Sequence, residues 1–259
     1  MSRTTFADSE FMSQPAYNGK TLTQWVNELE GNAVAYFHTR TLHPEAVDAV
    51  RAIGREALPF LVQWLVNPRI FERPPRQIFE RAKMLGPLAI PAATIGSLAW
   101  HHEFPSAAST VLAFKALGPL ASPAIPELRQ VIQVSNSPSW IEAVQALAAI
   151  GAEAVPVLLE FVNQLDDWHL QTVLIEGFGT MGSTAREAIP AIIECATFPD
   201  PRVRYAAVYA LAGMTEDADA VLPTLLKAIE DADAMVRRTA VRAIGRFGRK
   251  AYSYIRQYY

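Results

Sequence analysis

Five histidines are the first residues to test for chemistry, and only His101-His102-Glu103 forms a local cluster. It lies at the end of a helical stretch just before Pro105. Neighbouring helical residues point about 100° apart, so the two imidazoles cannot chelate one ion together without a loop. A solvated turn is the expected role. Gly177-Phe178-Gly179 has the glycines of a phosphate loop but falls inside a helical pattern rather than after a strand. Gly177 is expected to take a small inward place that Ala fills elsewhere. Asp166-Asp167-Trp168 and the pair Asp217, Asp219 offer paired acids, yet both stand at helix junctions, where Asp normally caps. There is no Gly-x-Ser-x-Gly and no Walker loop. Cys195 is the single cysteine, which excludes an internal disulfide and a cysteine-rich metal site. No catalytic residue, metal ligand or cofactor is assigned.

Charge and aromatic spacing carry more. Residues 234–259 hold seven basic side chains and no acidic one, which leaves the rest of the chain at a balance of −10. Arg238, Arg242 and Arg246 follow one another four apart, and Arg249 continues the run. Like charges at that spacing repel by a few tenths of a kcal/mol per pair, so local stability does not favour the arrangement. Cations near a helix C-terminus gain from its dipole, which accounts for Arg246 and Arg249 but not Arg238. Either the strip neutralises Glu230, Asp231 and Asp233 of the preceding helix, or it is an anion site. Tyr205 and Tyr209, also four apart, share one helical face just before it.

The elements that must position these residues repeat. Helix-ending positions fall at Gly54, Gly86, Gly118, Gly151, Gly182, Thr215 and Gly248, a spacing of 31 to 33 residues. Prolines at 59, 91, 126, 156, 190 and 223 keep pace. Gly past the last turn takes a left-handed conformation at little cost. Pro early in the next helix removes an N–H that has no partner. Counting back twelve residues from each ending position gives an inward stripe at offsets 0, 4, 7, 8 and 11. It reads Ser139, Ala143, Ala146, Leu147, Ile150 in the fourth unit, and Val203, Ala207, Ala210, Leu211, Met214 in the sixth. In the seventh it reads Val236, Ala240, Ala243, Ile244, Phe247. That is one face of a 3.6-residue helix. No segment sustains period-two alternation, so no sheet is expected. Trp64, Trp100, Trp140 and Trp168 recur near unit boundaries and are expected to seal them.

Asp200-Pro201-Arg202-Val203-Arg204-Tyr205-Ala206-Ala207 and Asp233-Ala234-Met235-Val236-Arg237-Arg238-Thr239-Ala240 resemble the HEAT-repeat pattern, in which Val-Arg opens the second helix of a pair. The resemblance implies an all-α fold, a right-handed α-solenoid of about seven two-helix repeats whose second helices line the concave surface. It covers residues 42–259, and the second unit departs most, with Pro74-Pro75 ahead of its helix and Arg81 in place of Ala. Tyr17-Asn18-Gly19-Lys20-Thr21-Leu22-Thr23-Gln24-Trp25 is similar to a leader that precedes HEAT repeats in some bacterial proteins. Thr21 with Gln24 makes a capping box, so a capping helix is expected at about 21–30, after a flexible arm over 1–16. Two HEAT-like enzyme families, DNA glycosylases and bilin lyases, leave no motif to match here. An enzyme of that type acting on a bound macromolecule stays as the alternative to a binding role.

The exposed offsets 2, 6 and 9 map the inner surface. The first units mix charges: Pro44, Asp48, Arg51, then Arg76, Glu80, Lys83. The middle offers Leu112, Ile141 and Thr172, flanked by Val111, Val144 and Ile175, before the tyrosines and arginines. Such a groove suits a protein or peptide with acidic segments, with nucleic acid a weaker option. A net charge of −3 points to neither nucleic acid nor membrane. At 51% hydrophobic and 19% charged residues the chain has ample core, and no apolar run reaches the ~20 residues of a membrane span. The start carries Asp8 and Glu10 and lacks a signal-peptide apolar stretch. The expected function is a non-catalytic scaffold or adaptor in the cytoplasm, an exported form with its signal removed staying open.

Overall fold

The computed structural model describes residues 14–29, 42–66, 105–133, 139–162 and 168–258. His101-His102-Glu103, Trp100, Asp166-Asp167 and the second repeat, with its Pro74-Pro75 and Arg81, lie outside them. The described residues are helical apart from one hairpin, and they group into two compact units, 1–124 and 125–259.

The first unit opens on β1 (Ala16–Tyr17) paired antiparallel with β2 (Lys20–Thr21). No sheet was expected here, but Asn18-Gly19 (φ 48 and 77) is the dipeptide that a two-residue hairpin turn demands. Helix α1 (Leu22–Glu28) follows with its capping box formed, Thr21 N–H donating to Gln24 Oε1 at 2.8 Å. The leader motif has a physical basis. Trp25 Nε1 donates to the Tyr17 carbonyl at 2.9 Å, while Lys20 lies over the Trp25 ring at 4.3 Å and pairs with Glu28 at 2.7 Å. Helix α1 packs on α2 (Pro44–Ile53), and α4 (Ala107–Leu117) packs on α1, α2 and α3 (Leu58–Val66). Arg51 Nε reaches the Ala116 carbonyl at 2.8 Å. Trp64 is buried, as expected of a seal.

The second unit is a run of helix pairs. In chain order these are α5 (Ile125–Gln133) with α6 (Trp140–Ile150), α7 (Val155–Val162) with α8 (Trp168–Met181), and α9 (Ile189–Cys195) with α10 (Pro201–Leu211). Then come α11 (Ala218–Ala228) with α12 (Ala234–Phe247), and finally α13 (Arg249–Tyr258). The second helices α6, α8, α10 and α12 pack directly on one another in sequence order. The inward stripe is buried on α6 and α10 and, apart from half-buried Ile244, on α12; on α8 its two ends, Leu170 and Met181, are half-buried. This is an α-solenoid of HEAT-like pairs.

The glycine caps differ from expectation in one respect. Gly54 (φ 62, ψ −134) and Gly248 (φ 50, ψ −121) have the positive φ that favours Gly, but their ψ lies outside the left-handed helical well. The chain then enters the next helix at once, Gly54 through a 3-10 turn and Gly248 directly into α13. The sixth unit ends at Leu211, not at Thr215, which opens a short 3-10 turn instead. Thr cannot take the glycine conformation at low cost, so Gly213 and Met214 close the helix through i−3 bonds. Ala107–Gln133 is long and apolar enough by composition to cross a membrane, but α4 stops within it at Gly118 (φ 54), and 44% of the apolar window is buried.

Candidate functional site

Helices α10 and α12 carry the expected site side by side. Val203, Ala207 and Ala210 anchor α10 inward, which turns Tyr205 and Tyr209 outward. The two rings stack with centroids 6.3 Å apart and 18° between planes, and Tyr209 is 48% exposed. Arg246 of α12 lies over the Tyr209 ring at 5.9 Å, so the aromatic and cationic parts of the strip meet. Arg238, Arg242 and Arg246 are exposed, and none of them pairs with a carboxylate among the described residues.

The neutralising role is filled elsewhere. Asp231 is held by Arg204, whose Nε and Nη2 grip its two oxygens at 2.8 Å each, and this pair is largely buried. The Arg204 fork holds the Asp231 carboxyl below the ordinary carboxylate range, aided by the Asp233 backbone N–H. Asp233 caps α12 through the Met235 and Val236 N–H groups. Asp200 caps α10, and Arg202 holds its half-buried carboxyl down to about 2.

Arg249 leaves the strip. It opens α13 and lines a separate pocket of about 580 Å³ with Arg186, Asp217 and Lys250. Asp217 does not cap by its side chain, as its position implied, but is buried against Arg186 of the preceding turn. That pair ties neighbouring repeats, as Arg204–Asp231 does.

The apolar middle of the groove is absent in unit two. Val144 and Ile175 are fully buried, because offset 5 faces the next repeat rather than the inner surface. Ile141 and Thr172 are half-buried on α6 and α8, and Leu112 is half-buried on α4 of the first unit. The exposed positions beside them are Gln145 and Glu176. Partial desolvation by its neighbours raises the Glu176 carboxyl even though the side chain is exposed, opposed by His169. The sequence signal of Glu176 is a carboxylate at offset 6 of the unit before the tyrosines. Trp168 is 37% exposed with the Arg202 guanidinium 3.3 Å above its ring, and Trp140 meets His169 edge-on at 5.3 Å. Both rings seal a repeat boundary. Among the described residues no group of three metal-ligating side chains occurs.

Gly177 of α8 takes the small inward place expected of it, and Gly179 adds a tighter contact. A methyl at Gly177 would meet Val144 and Ala148 at ordinary contact, whereas one at Gly179 would stand 2.9 Å from Ala210 Cα. Gly179 therefore lets the two helices α8 and α10 approach closely at Ala210.

Family models match the part of the chain that holds this strip. A model described as HEAT repeats matches residues 155–221, HEAT repeat matches 221–251, and PBS lyase HEAT-like repeat matches 141–164. No curated protein matches the chain. Among solved structures it is similar to an engineered protein at 17% identity, covering 88% of this chain and 97% of that one, with a TM-score of 0.39. A second engineered protein is similar at 18% identity, covering 82% and 63%, with a TM-score of 0.41. Residues 141–251 of the chain are HEAT-type repeats.

Proposed function

We propose that this protein is a non-catalytic scaffold or adaptor that binds an acidic segment of another protein along α10 and α12. The observation that carries the reading is the contiguous strip of stacked tyrosines and carboxylate-free arginines on two adjacent helices. Stacked repeats present extended binding surfaces, and aromatic and arginine side chains dominate binding energy at such surfaces. The test is a labelled glutamate- and leucine-containing decapeptide titrated against the protein. Replacing Tyr205 and Tyr209 with Ala should weaken binding by about 1–3 kcal/mol, the range for interface anchors, with the melting transition retained. Unfolding of that variant would make the rings core and remove the centre of the strip.

The alternative is a HEAT-like enzyme acting on a bound macromolecule, and one observation favours it: the carboxylate of Glu176 stands on α8, the helix packed against the one that carries Tyr205 and Tyr209. Glu176→Gln separates the two readings. A scaffold keeps full binding and has no turnover to lose, whereas an enzyme keeps binding and loses its reaction.

A further inference from the structure

A cleft of about 580 Å³ opens where α13 packs back on α11, and no residue of the tyrosine–arginine strip lines it. Its volume lies within the roughly 300–1,000 Å³ of small-molecule sites. One wall is the start of α13, with Arg249 and Lys250. The other is the 3-10 turn Thr215–Asp217 and the first turn of α11, with Glu216, Asp217 and Asp219. The period of the stack brings these walls together. Arg186, Asp217 and Lys250 stand 31 and 33 residues apart, each just before or at the start of a first helix.

Asp217 is the unusual side chain. Only 6% of it is exposed, and Arg186 takes its Oδ1 alone. Oδ2 is buried too and accepts from no donor among the described residues. The place before α11 invites a cap, yet this carboxylate makes no capping bond. Asp200 and Asp233, which precede α10 and α12, both cap through their carboxylates. A buried acceptor without a donor is costly, so Oδ2 is the atom of the cleft most in need of one from a ligand.

The facing wall carries the opposite charge. Arg249 is exposed and makes no hydrogen bond or ion pair among the described residues. Lys250 donates one N–H to the Thr215 carbonyl at 3.0 Å, which leaves two. Neither cation pairs with Glu216, Asp217 or Asp219, so a basic wall and an acidic wall stand apart across the gap.

We propose that this cleft binds a small zwitterion, a short peptide or free amino acid, with its ammonium on Asp217 and its carboxylate on Arg249. Each end selects its partner. An ammonium satisfies Oδ2 and suits a wall whose other two carboxylates, Glu216 and Asp219, pair with no cation. The three acids form no group that could hold a metal ion. A carboxylate suits the Arg249 fork, with Lys250 beside it. A plain anion would leave Asp217 Oδ2 without a donor, and a plain cation would leave Arg249 unpaired.

The test is isothermal titration calorimetry of the full chain with tri-alanine and, separately, with free alanine. Saturable binding is expected, and the tighter of the two shows whether the ligand is a peptide or an amino acid. For that ligand, N-acetylation and C-terminal amidation should each weaken binding about tenfold, the effect of losing a charge-assisted pair. Arg249→Gln changes an exposed, unpaired side chain and leaves folding intact. It should weaken the free ligand about tenfold and the amidated one no further, since both changes remove one interaction. Asp217→Asn keeps an acceptor for Arg186 but sets an N–H₂ group in place of Oδ2, and should erase the discrimination against N-acetylation. The Tyr205→Ala/Tyr209→Ala variant should bind as the parent does, which separates the cleft from the strip. Absence of saturable binding by either ligand overturns the proposal. So do blocked ligands that bind as the free ones do, or binding indifferent to Arg249→Gln. Inorganic phosphate that displaces the ligand with equal affinity also overturns it, because the cleft would then be a plain anion site.

Discussion

Helices α10 and α12 present matching Arg and Val, and a small residue after them, at the same offsets to opposite surroundings. Arg204, Val208 and Ala212 of α10 are covered by the next pair; Arg237, Val241 and Gly245 of α12 face solvent. The comparison teaches that burial in this fold is set by the neighbour and not by the helix's own sequence. Among the described residues, the offset-5 valines Val144 and Val208 are buried and Val241 is exposed. Contacts in a stacked-repeat protein run only between neighbours, so energetic consequences should split along the same line.

The largest split is expected at the glycines. Gly179→Ala forces a methyl against the backbone of Ala210 and should cost about 3 kcal/mol, as overpacking does when the obstacle cannot move. Gly245→Ala meets open space inside a helix and should stabilise by roughly 0.5–1 kcal/mol. Urea midpoints of the two variants check this, and equal effects would erase the distinction between inner and end positions.

The arginines come next. Asp231→Asn should cost about 2 kcal/mol near pH 6, the scale of a charge-assisted hydrogen bond, whereas Arg237→Ala should cost less than about 0.5 kcal/mol. The folded pKa of Asp231 lies below its unfolded value, so the pair's contribution is full above the ordinary carboxylate pKa of about 3.9. It is lost as pH falls through the depressed value. Melting curves of parent and Asp231→Asn should therefore converge in acid and separate toward neutrality. A constant gap across that range would contradict the assignment.

A smaller contrast sharpens the same point. Val208→Ala removes fully buried methyl groups and should cost about 1.5–2 kcal/mol, while Val241→Ala should stay within roughly 0.5 kcal/mol of the parent.

Much of this was legible from residue spacing. The 31-to-33-residue recurrence of Gly and Pro gave the pair boundaries, and Thr21 with Gln24 gave the capping helix. The hairpin at Asn18-Gly19 carried its signal openly, but two-residue strands are too short for alternation to register. Thr215 misled because the period is a property of the stack, whereas a helix end needs a residue that can turn, and Gly213 lay nearer. At the candidate site, Tyr205, Tyr209, Arg238, Arg242 and Arg246 lie on the outward face that helical spacing assigned them. Val144 and Ile175 did not, since a single helix's periodicity separates inward from outward but cannot say which flank the next repeat will cover. The Arg204–Asp231 and Arg186–Asp217 clasps span 27 and 31 residues, and nothing local in the sequence marks either pair.

The measurement that bears most directly on the binding account is charge reversal of the strip. Arg238→Glu, Arg242→Glu and Arg246→Glu together change three exposed side chains that pair with no carboxylate among the described residues, so the melting transition should stay close to the parent's. Titrated with the labelled acidic decapeptide across a salt series, the parent should bind progressively more weakly as salt rises, because exposed charges act within a Debye length of about 8–10 Å. The triple variant should show no binding, and therefore no salt dependence to measure. Affinity equal to the parent's, in a variant that melts as the parent does, would mean that the arginine strip is a solvated face and that the protein binds acidic segments elsewhere or not at all.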